Sequence, residues 1–333
     1  MTSSSSRSRP PGEFELIAEL FAPLAADAPG AFNLVDDAAV FAPPPGHDVV
    51  LKADGIIEGV HFFASDPPLA IAKKALRVNL SDLAAKGAEP KGYLLTLMLP
   101  STIDMAWLRE FARGFAEDQK QFGVVLYGGD TDRTPGPLAI SIQAFGIVPA
   151  GTMIRRNGAK PGDLVFVTGS IGDAGGGLAI LRGEGAGADA ADRDALIARY
   201  RIPEPRTAFG ASLRGLAHAS IDVSDGLIAD LGHVAAVSNV RIVVDAPLVP
   251  RSDALARLWG NSDEAIGRAA ASGDDYEIAF TAPAFAEEAI RSASRAAATP
   301  VTRIGRVEEG KGTVLLDAGG REIKLTRPGY THF

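Results

Sequence analysis

Aspartates recur in this 333-residue chain wherever apolar patterns end. Asp36–Asp37, Asp54, Asp82, Asp130, Asp132, Asp222, Asp225 and Asp274–Asp275 all fall at predicted strand or helix boundaries. The stretch "IDVSDGLIADLGH" (221–233) shows the problem best. Its apolar residues read as core, yet Asp222 and Asp225 interrupt them, with Ser224 between. Taken singly, such residues read as caps and turns. An N-cap Asp accepts backbone N–H bonds and stabilises by about 1 kcal/mol, which suits Asp82 and Asp225. Asp132 and Asp275 read as surface turns, and Asp230 as an ordinary acid on a helix surface. As a set the aspartates point elsewhere. Two pairs are adjacent like charges, and a hard cation resolves such repulsion. Mg²⁺ takes oxygen ligands, uses one or two carboxylates and keeps substrate phosphates in its shell. Several such ions would let an acidic chain bind a polyphosphate.

Other chemistries are poorly served. The chain has no cysteine, which excludes disulfides, thiolate metal sites and a cysteine nucleophile. Its five histidines show no zinc-ligand spacing. No phosphate-loop motif, protein-kinase signature or serine nucleophile elbow is present. "GSIGDAGGGL" (169–178) reads equally as a phosphate cradle or as close helix–strand packing. The formal net charge of −8 without a basic stripe argues against nucleic acid and anionic membrane as partners. No apolar run reaches the ~18 residues of a spanning helix.

The elements that must position these acids read as α/β, in α+β layers. Helical periodicity covers 13–26, 69–88 and 103–121. Strands are expected at "AAVFA", "DVVLKAD", "YLLTLMLP" and "LAISIQAFGIVP", and at "GVVLYGGD", ending in a glycine turn. Beyond residue 150 they recur at "LVFVTG", "RIVVD", "YEIAFTA", "RIGRV" and "TVLLDA". The expected organisation is a disordered tail (1–11), an N-terminal domain (12–150) and a C-terminal α/β domain (151–333).

In order along the chain, "VDDAAV", "KADGIIEGVHF", "NLSDLAAKGAEP", "YGGDTDR", "RRNGAKPGD", "IDVSDGLIADLGH", "SGDDYEIAF" and "GYTHF" resemble the thiamine-monophosphate kinases of the aminoimidazole ribonucleotide synthetase superfamily. "NLSDLAA", "GGDT" and "IDVSDGL" carry the superfamily likeness, while "GVHF" and "GYTHF" narrow it. The resemblance spans about Gly12 to Phe333. It implies a cytoplasmic two-domain homodimer whose N-terminal strands build an interface barrel, with the C-terminal domain closing over the nucleotide. It implies ATP as co-substrate, thiamine monophosphate as acceptor, several Mg²⁺ ions and direct in-line transfer. No residue acts as covalent nucleophile or strong base. Matched motif by motif, Asp37, Asp54, Asp82, Asp130, Asp222 and Asp225 fall on metal ligands. Gly129, Asp130, Arg156 and Ser224 fall on nucleotide contacts. His61, Asp274 and Phe333 fall on substrate contacts, with Tyr330 a competitor of Phe333.

The chain departs from the family pattern at Lys52-Ala53, where Ser-Thr is frequent, so a hydroxyl ligand is lost and a positive charge gained. Val35 replaces a glycine before the paired acids, and Asp274 replaces a glutamate. Two other readings fit the acidic motifs: a cyclo-ligase of the same superfamily and a non-catalytic ATP-binding regulator.

Overall fold

The computed structural model describes residues 13–185 and 187–330. The expected tail at 1–11 and Phe333 lie outside these residues. The chain enters through α1 (Glu13–Leu16), then a π turn and 3₁₀ turns that reach Ala25. The single helix expected over 13–26 is broken up, consistent with Pro23, which has no N–H for a helical bond. "AAVFA" forms no strand. The three prolines that follow it cannot donate to a ladder.

Next come β1 (His47–Ile57), α2 (Pro68–Ala85), β2 (Glu89–Leu99), α3 (Met105–Phe122), β3 (Val125–Arg133) and β4 (Ala139–Pro149). The four strands form one sheet in the order β1-β4-β2-β3. β3 runs straight through Gly128-Gly129, where a turn was expected. Gly129 has φ +156, and a Cβ there would sit 1.8 Å from the Leu95 carbonyl oxygen. Glycine is thus required for two backbones to touch, not for the chain to turn.

The second half contains β5 (Leu164–Thr168), α4 (Asp173–Leu181), α5 (Ala190–Arg201), α6 (Thr207–Gly210), β6 (Ala219–Asp222) and α7 (Leu227–Ser238). It continues with β7 (Arg241–Asp245), α8 (Asp253–Trp259), α9 (Asp263–Ala270), β8 (Ile278–Ala282), α10 (Glu287–Ala296), β9 (Val301–Glu308) and β10 (Gly312–Leu316). Its sheet is mixed, in the order β10-β7-β9-β5-β8-β6. Leu227, Leu231 and Val234 of α7 bury one face. Phe166, Phe280, Phe209 and Ile290 pack on the other, with Ala84 and Ala85 of α2. The result is a mixed α/β fold of two domains.

Helix α2 lies at the centre of the arrangement. A helix buried nearly all round must lie between layers, and α2 hides residues on every side, including Lys74, Arg77 and Asn79. Arg77 donates to both oxygens of Asp118 on α3 at 2.7 Å and to the Pro203 carbonyl at 3.0 Å. The helix is thereby fixed to both halves of the chain. Asp82 lies in its last turn rather than at a helix start. That end of a helix carries partial negative charge, so an acid there costs stability. Helix stability cannot be the reason for Asp82. Among the described residues no helix is long and apolar enough to cross a membrane.

Candidate active site

Four carboxylates from four elements converge where α2 meets the C-terminal sheet. Asp222 ends β6, and burial pushes its carboxyl well above the usual range, with Asp82 and Asp230 adding repulsion. Its Oδ2 has no hydrogen-bond partner although the residue is only 3% exposed. Orphaned buried oxygens are rare in proteins and require an explanation. Asp82 follows from α2 and Asp54 from β1, and Asp225 comes from the loop after β6. Asp54, Asp82 and Asp225 line a cleft of about 690 Å³, together with Arg156 and Ser224. Donors that are all carboxylate oxygen, one of them unsatisfied, suit Mg²⁺. The structure therefore fits the expected ion.

Cations face these acids. Lys52 Nζ lies 2.8 Å from Asp82 and 3.1 Å from Asp54. Burial opposes its charge, but Asp82 and then Asp54 outweigh it, so the ammonium is held more tightly than usual. Asp54 is itself pushed up, by burial first and then by Asp82, against the pull of Lys52. Lys86, four residues after Asp82, donates to the Ser220 carbonyl at 2.6 Å. Burial brings Lys86 down to about 8, with Arg156 adding to the effect and Asp222 opposing it. With Arg155 and Arg156, Lys52 and Lys86 surround Asp82 in an adjoining hollow. Carboxylates and cationic side chains thus share one rim.

Two backbone segments are knitted together at the rim. The Asp274 N–H donates to the Ser224 carbonyl, Tyr276 N–H to Val223, and Val223 N–H to Glu277. Asp274 and Tyr276 both adopt left-handed φ values, +67 and +52. Such conformations cost of order 1 kcal/mol or more each and persist only where the surrounding structure holds them, as these backbone bonds do. Asp274 and His61 line the same cleft. Between them Lys74, fully buried, donates to the His61 carbonyl at 2.9 Å and lies 3.5 Å from Asp274. Its ammonium also sits 3.7 Å above the Tyr200 ring, a cation–π contact. Tyr330 lines the cleft too, its N–H bound to the Asp225 carbonyl.

Asp37, Gly129 and Asp130 are not brought to this rim. They line a second cavity of about 550 Å³, with Asp36 and Gln143. The sheet dictates the separation. Asp54, Ile142, Leu95 and Gly129 form one row across β1, β4, β2 and β3. At ~4.8 Å per strand the two ends of that row are roughly 14 Å apart. Asp54 and Asp130 of one chain therefore cannot share an ion, whose ligands lie at ~2.1 Å.

Comparisons with known proteins agree with the motifs. The N-terminal domain of AIR synthase related protein matches residues 35–148, and its C-terminal domain matches 160–317. The thiamine-monophosphate kinase of Caulobacter vibrioides is 44% identical over 326 residues, covering 97% of this chain and 91% of that one. The chain belongs to the thiamine-monophosphate kinase family. Within the same family, the crystal structure of the Stenotrophomonas maltophilia K279a enzyme superposes with a TM-score of 0.79 at 43% identity, covering 85% of this chain and 89% of that one. The structure described as AaThiL complexed with AMPPCP and TMP superposes at 0.76 with 31% identity, covering 97% of each chain.

Against this thiamine-monophosphate kinase fold, three readings of single aspartates change. Asp275 is not in a surface turn. It is 1% exposed and accepts the N–H groups of Gly172 (2.6 Å) and Ala174 (3.2 Å). That decides "GSIGDAGGGL" in favour of packing at these positions, because a phosphate would find those donors engaged. Close approach elsewhere agrees: a Cβ on Gly177 would meet the Leu196 carbonyl at 2.1 Å. Asp225 does not cap α7, whose N-cap is Gly226 without a side-chain cap bond. Asp230 is not a surface acid but is 2% exposed. Its Oδ2 accepts the N–H groups of Ser224, Asp225 and Gly226 at 3.0, 3.0 and 3.1 Å. It shapes the loop that aims Ser224 and Asp225 at the cleft.

Lys86, Lys74 and Tyr200 escaped the sequence reading, and Asp230 was misread as a surface acid. Two of them left signals. Lys86 follows Asp82 at i,i+4, the spacing of facing helix residues. Asp230 falls on the stripe of Leu227, Leu231 and Val234, and an acid on a buried face needs partners.

Asp230 also sets a pH dependence. Burial, reinforced by Asp225, pushes its carboxyl up to about 7 despite the three N–H donors. A group whose folded value is raised contributes stability that is present below its unfolded value and lost as pH rises through the folded one. In the absence of divalent ions the melting temperature should therefore fall between about pH 4 and about pH 7. Asp230→Asn should flatten this slope in calorimetric scans. Asp230→Ala, which strips an acceptor from three backbone donors, should instead cost about 3 kcal/mol or more at any pH. A wild-type slope that survives unchanged in Asp230→Asn would exclude Asp230 as its source.

Proposed function

We propose that this chain is an ATP-dependent kinase that phosphorylates thiamine monophosphate, giving thiamine diphosphate and ADP. The observation that carries the reading is the rim itself. Asp54, Asp82 and Asp225 meet Lys52 and Arg156 at one cleft, with Lys86 in the adjoining hollow and the orphaned Asp222 oxygen buried near Asp82. The named relatives supply the substrate pair.

Phosphoryl transfer needs alignment and charge neutralisation more than covalent help. The acceptor phosphate is already an oxyanion, so no strong base is required. Arg156 and Ser224 hold the nucleotide phosphates in this reading. His61 and Asp274 hold the acceptor, with the Tyr330 ring beside them. Lys74 and Tyr200 lock the wall from behind. Asp54, Asp82, Asp222 and Asp225 would hold several Mg²⁺ ions. Such ions supply positive charge to both reacting phosphates. The C-terminal domain (151–333) closes on the N-terminal domain (12–150) over the nucleotide, which excludes water from the transfer. An ATP-dependent step in a chain without cysteine suits the cytoplasm.

Asp37, Gly129 and Asp130 enter this scheme from a second copy of the chain. The sheet face turned away from α2 exposes Val49, Leu51, Ile57 and Leu94, with Leu51 78% accessible. Two such faces closing into a barrel would bury these residues. They would also carry β3 of one copy to the cleft of the other. Asp54→Asn and Asp130→Asn should each be inactive. Mixed after dissociation, they should recover about a quarter of wild-type activity, because half the dimers then hold one intact site. No recovery from mixtures shown to exchange subunits would place all ligands within one chain.

The activity is tested by incubating purified protein with ATP, Mg²⁺ and thiamine monophosphate, and oxidising the product to its fluorescent thiochrome. Product formation is expected. ADP released only with a different acceptor would overturn the assignment.

A further inference from the structure

We propose that the ammonium of Lys52 takes the place of one divalent cation in the phosphate-binding cluster, so that this chain holds one metal ion fewer than its carboxylates otherwise support. The proposal rests on the kinase reading above and deepens it. Lys52 Nζ bridges Asp82 Oδ2 at 2.8 Å and Asp54 Oδ1 at 3.1 Å. Bridging two carboxylates is the task of an ion at such a place. Mg²⁺ would require both oxygens at about 2.1 Å, in the space the ammonium fills.

The ammonium is built in. Lys52 and Asp54 are two apart on β1, so the strand period sends both to one face. The Asp54 N–H is bound to Asn79 Oδ1 at 2.9 Å, which fastens β1 to α2. Three-quarters of the Lys52 side chain is shielded. Surface ion pairs are loose and weak, whereas this one is anchored at both ends within the cleft.

Asp222 shows the contrast. Its Oδ2 has no protein partner. The cluster is thus divided: Lys52 spans one oxygen each of Asp54 and Asp82, while Asp222 keeps a buried oxygen without a protein partner. An ammonium supplies one positive charge where a divalent ion supplies two. Lys86, Arg155 and Arg156 make up the shortfall beside Asp82. Unlike an ion, a tethered charge does not depend on free Mg²⁺.

The test counts bound Mn²⁺ by electron paramagnetic resonance with a non-hydrolysable ATP analogue at saturation. Lys52→Ser and Lys52→Gln should each bind one more Mn²⁺ per chain than wild type, and Lys52→Arg the wild-type number. Equal non-zero counts in wild type and the neutral variants overturn this proposal alone. A wild-type count of zero overturns the kinase reading and this proposal with it. A second measurement uses wild-type protein and so does not depend on a variant folding. With Mg²⁺ and the analogue at saturation, the ¹⁵Nζ resonance of Lys52 should stay protected from exchange. Its release into a solvent-exposed signal would mean that a metal ion had displaced it.

Discussion

Asp222→Asn is expected to lower turnover by roughly 10²–10³-fold and, in the same protein, to raise stability in the absence of metal. Both effects follow from one geometry. The carboxylate is buried with an orphaned oxygen and is pushed up by burial and by Asp82. Burial outweighs what Ser81 and Lys52 do to favour its charge, and no protein donor reaches Oδ2. Asparagine keeps the shape and removes the charge, which relieves repulsion from Asp82 and Asp230. In the proposed reading it also removes an oxygen that would hold Mg²⁺. Melting curves in chelator and the thiochrome assay read the two effects separately. A drop in activity with no gain in metal-free stability would mean that the buried charge is satisfied by groups of the protein.

Glu277→Ala should be the most damaging substitution for the fold, at roughly 3–5 kcal/mol. Glu277 is fully buried. Its carboxylate accepts from Arg206 Nε (2.7 Å) and Nη2 (2.6 Å), Arg199 Nη2 (2.9 Å) and Thr168 Oγ1 (2.6 Å). Alanine would leave two largely buried guanidinium groups without their counter-ion. Burial opposes the charge of Arg206, and the bond to Glu277 is what overcomes it. The damage would reach the site as well, because the Glu277 carbonyl accepts from Val223 N–H beside Asp222. Chemical denaturation should show the midpoint falling with an unchanged slope. Glu277→Gln, which keeps the shape, should lose less. A loss under 1 kcal/mol for Glu277→Ala would show that Glu204, 3.3 Å from Arg206, takes over.

The division of labour between sequence and fold can be followed residue by residue. Period and punctuation were sufficient for α2, α3, β4 and β5, whose apolar patterns are long or sharply bounded. They failed at "AAVFA" and at Gly128-Gly129. A glycine pair reads as a turn unless one sees that the neighbouring strand presses on it. Motif order alone identified the family, and the acidic set with its oxygen-only chemistry was visible before any coordinates.

What the sequence determined by itself was the kind of chemistry: clustered aspartates without cysteine or spaced histidines leave few tasks besides binding hard cations and phosphate. It also placed Asp54, Asp82, Asp222 and Asp225 among the candidates. Only the tertiary structure decided which aspartates lie together. Burial cannot be read from residue type, so Asp230 and Asp275 looked like surface acids while serving as buried acceptors for backbone N–H groups. Strand order cannot be read from strand sequence either. Placing β1 and β3 at opposite edges of one sheet parts Asp54 from Asp130. The same folding brings Lys52 between Asp54 and Asp82, from an element 30 residues away from the latter. Contacts of that range depend on how layers stack, and layer stacking is a property of the whole chain.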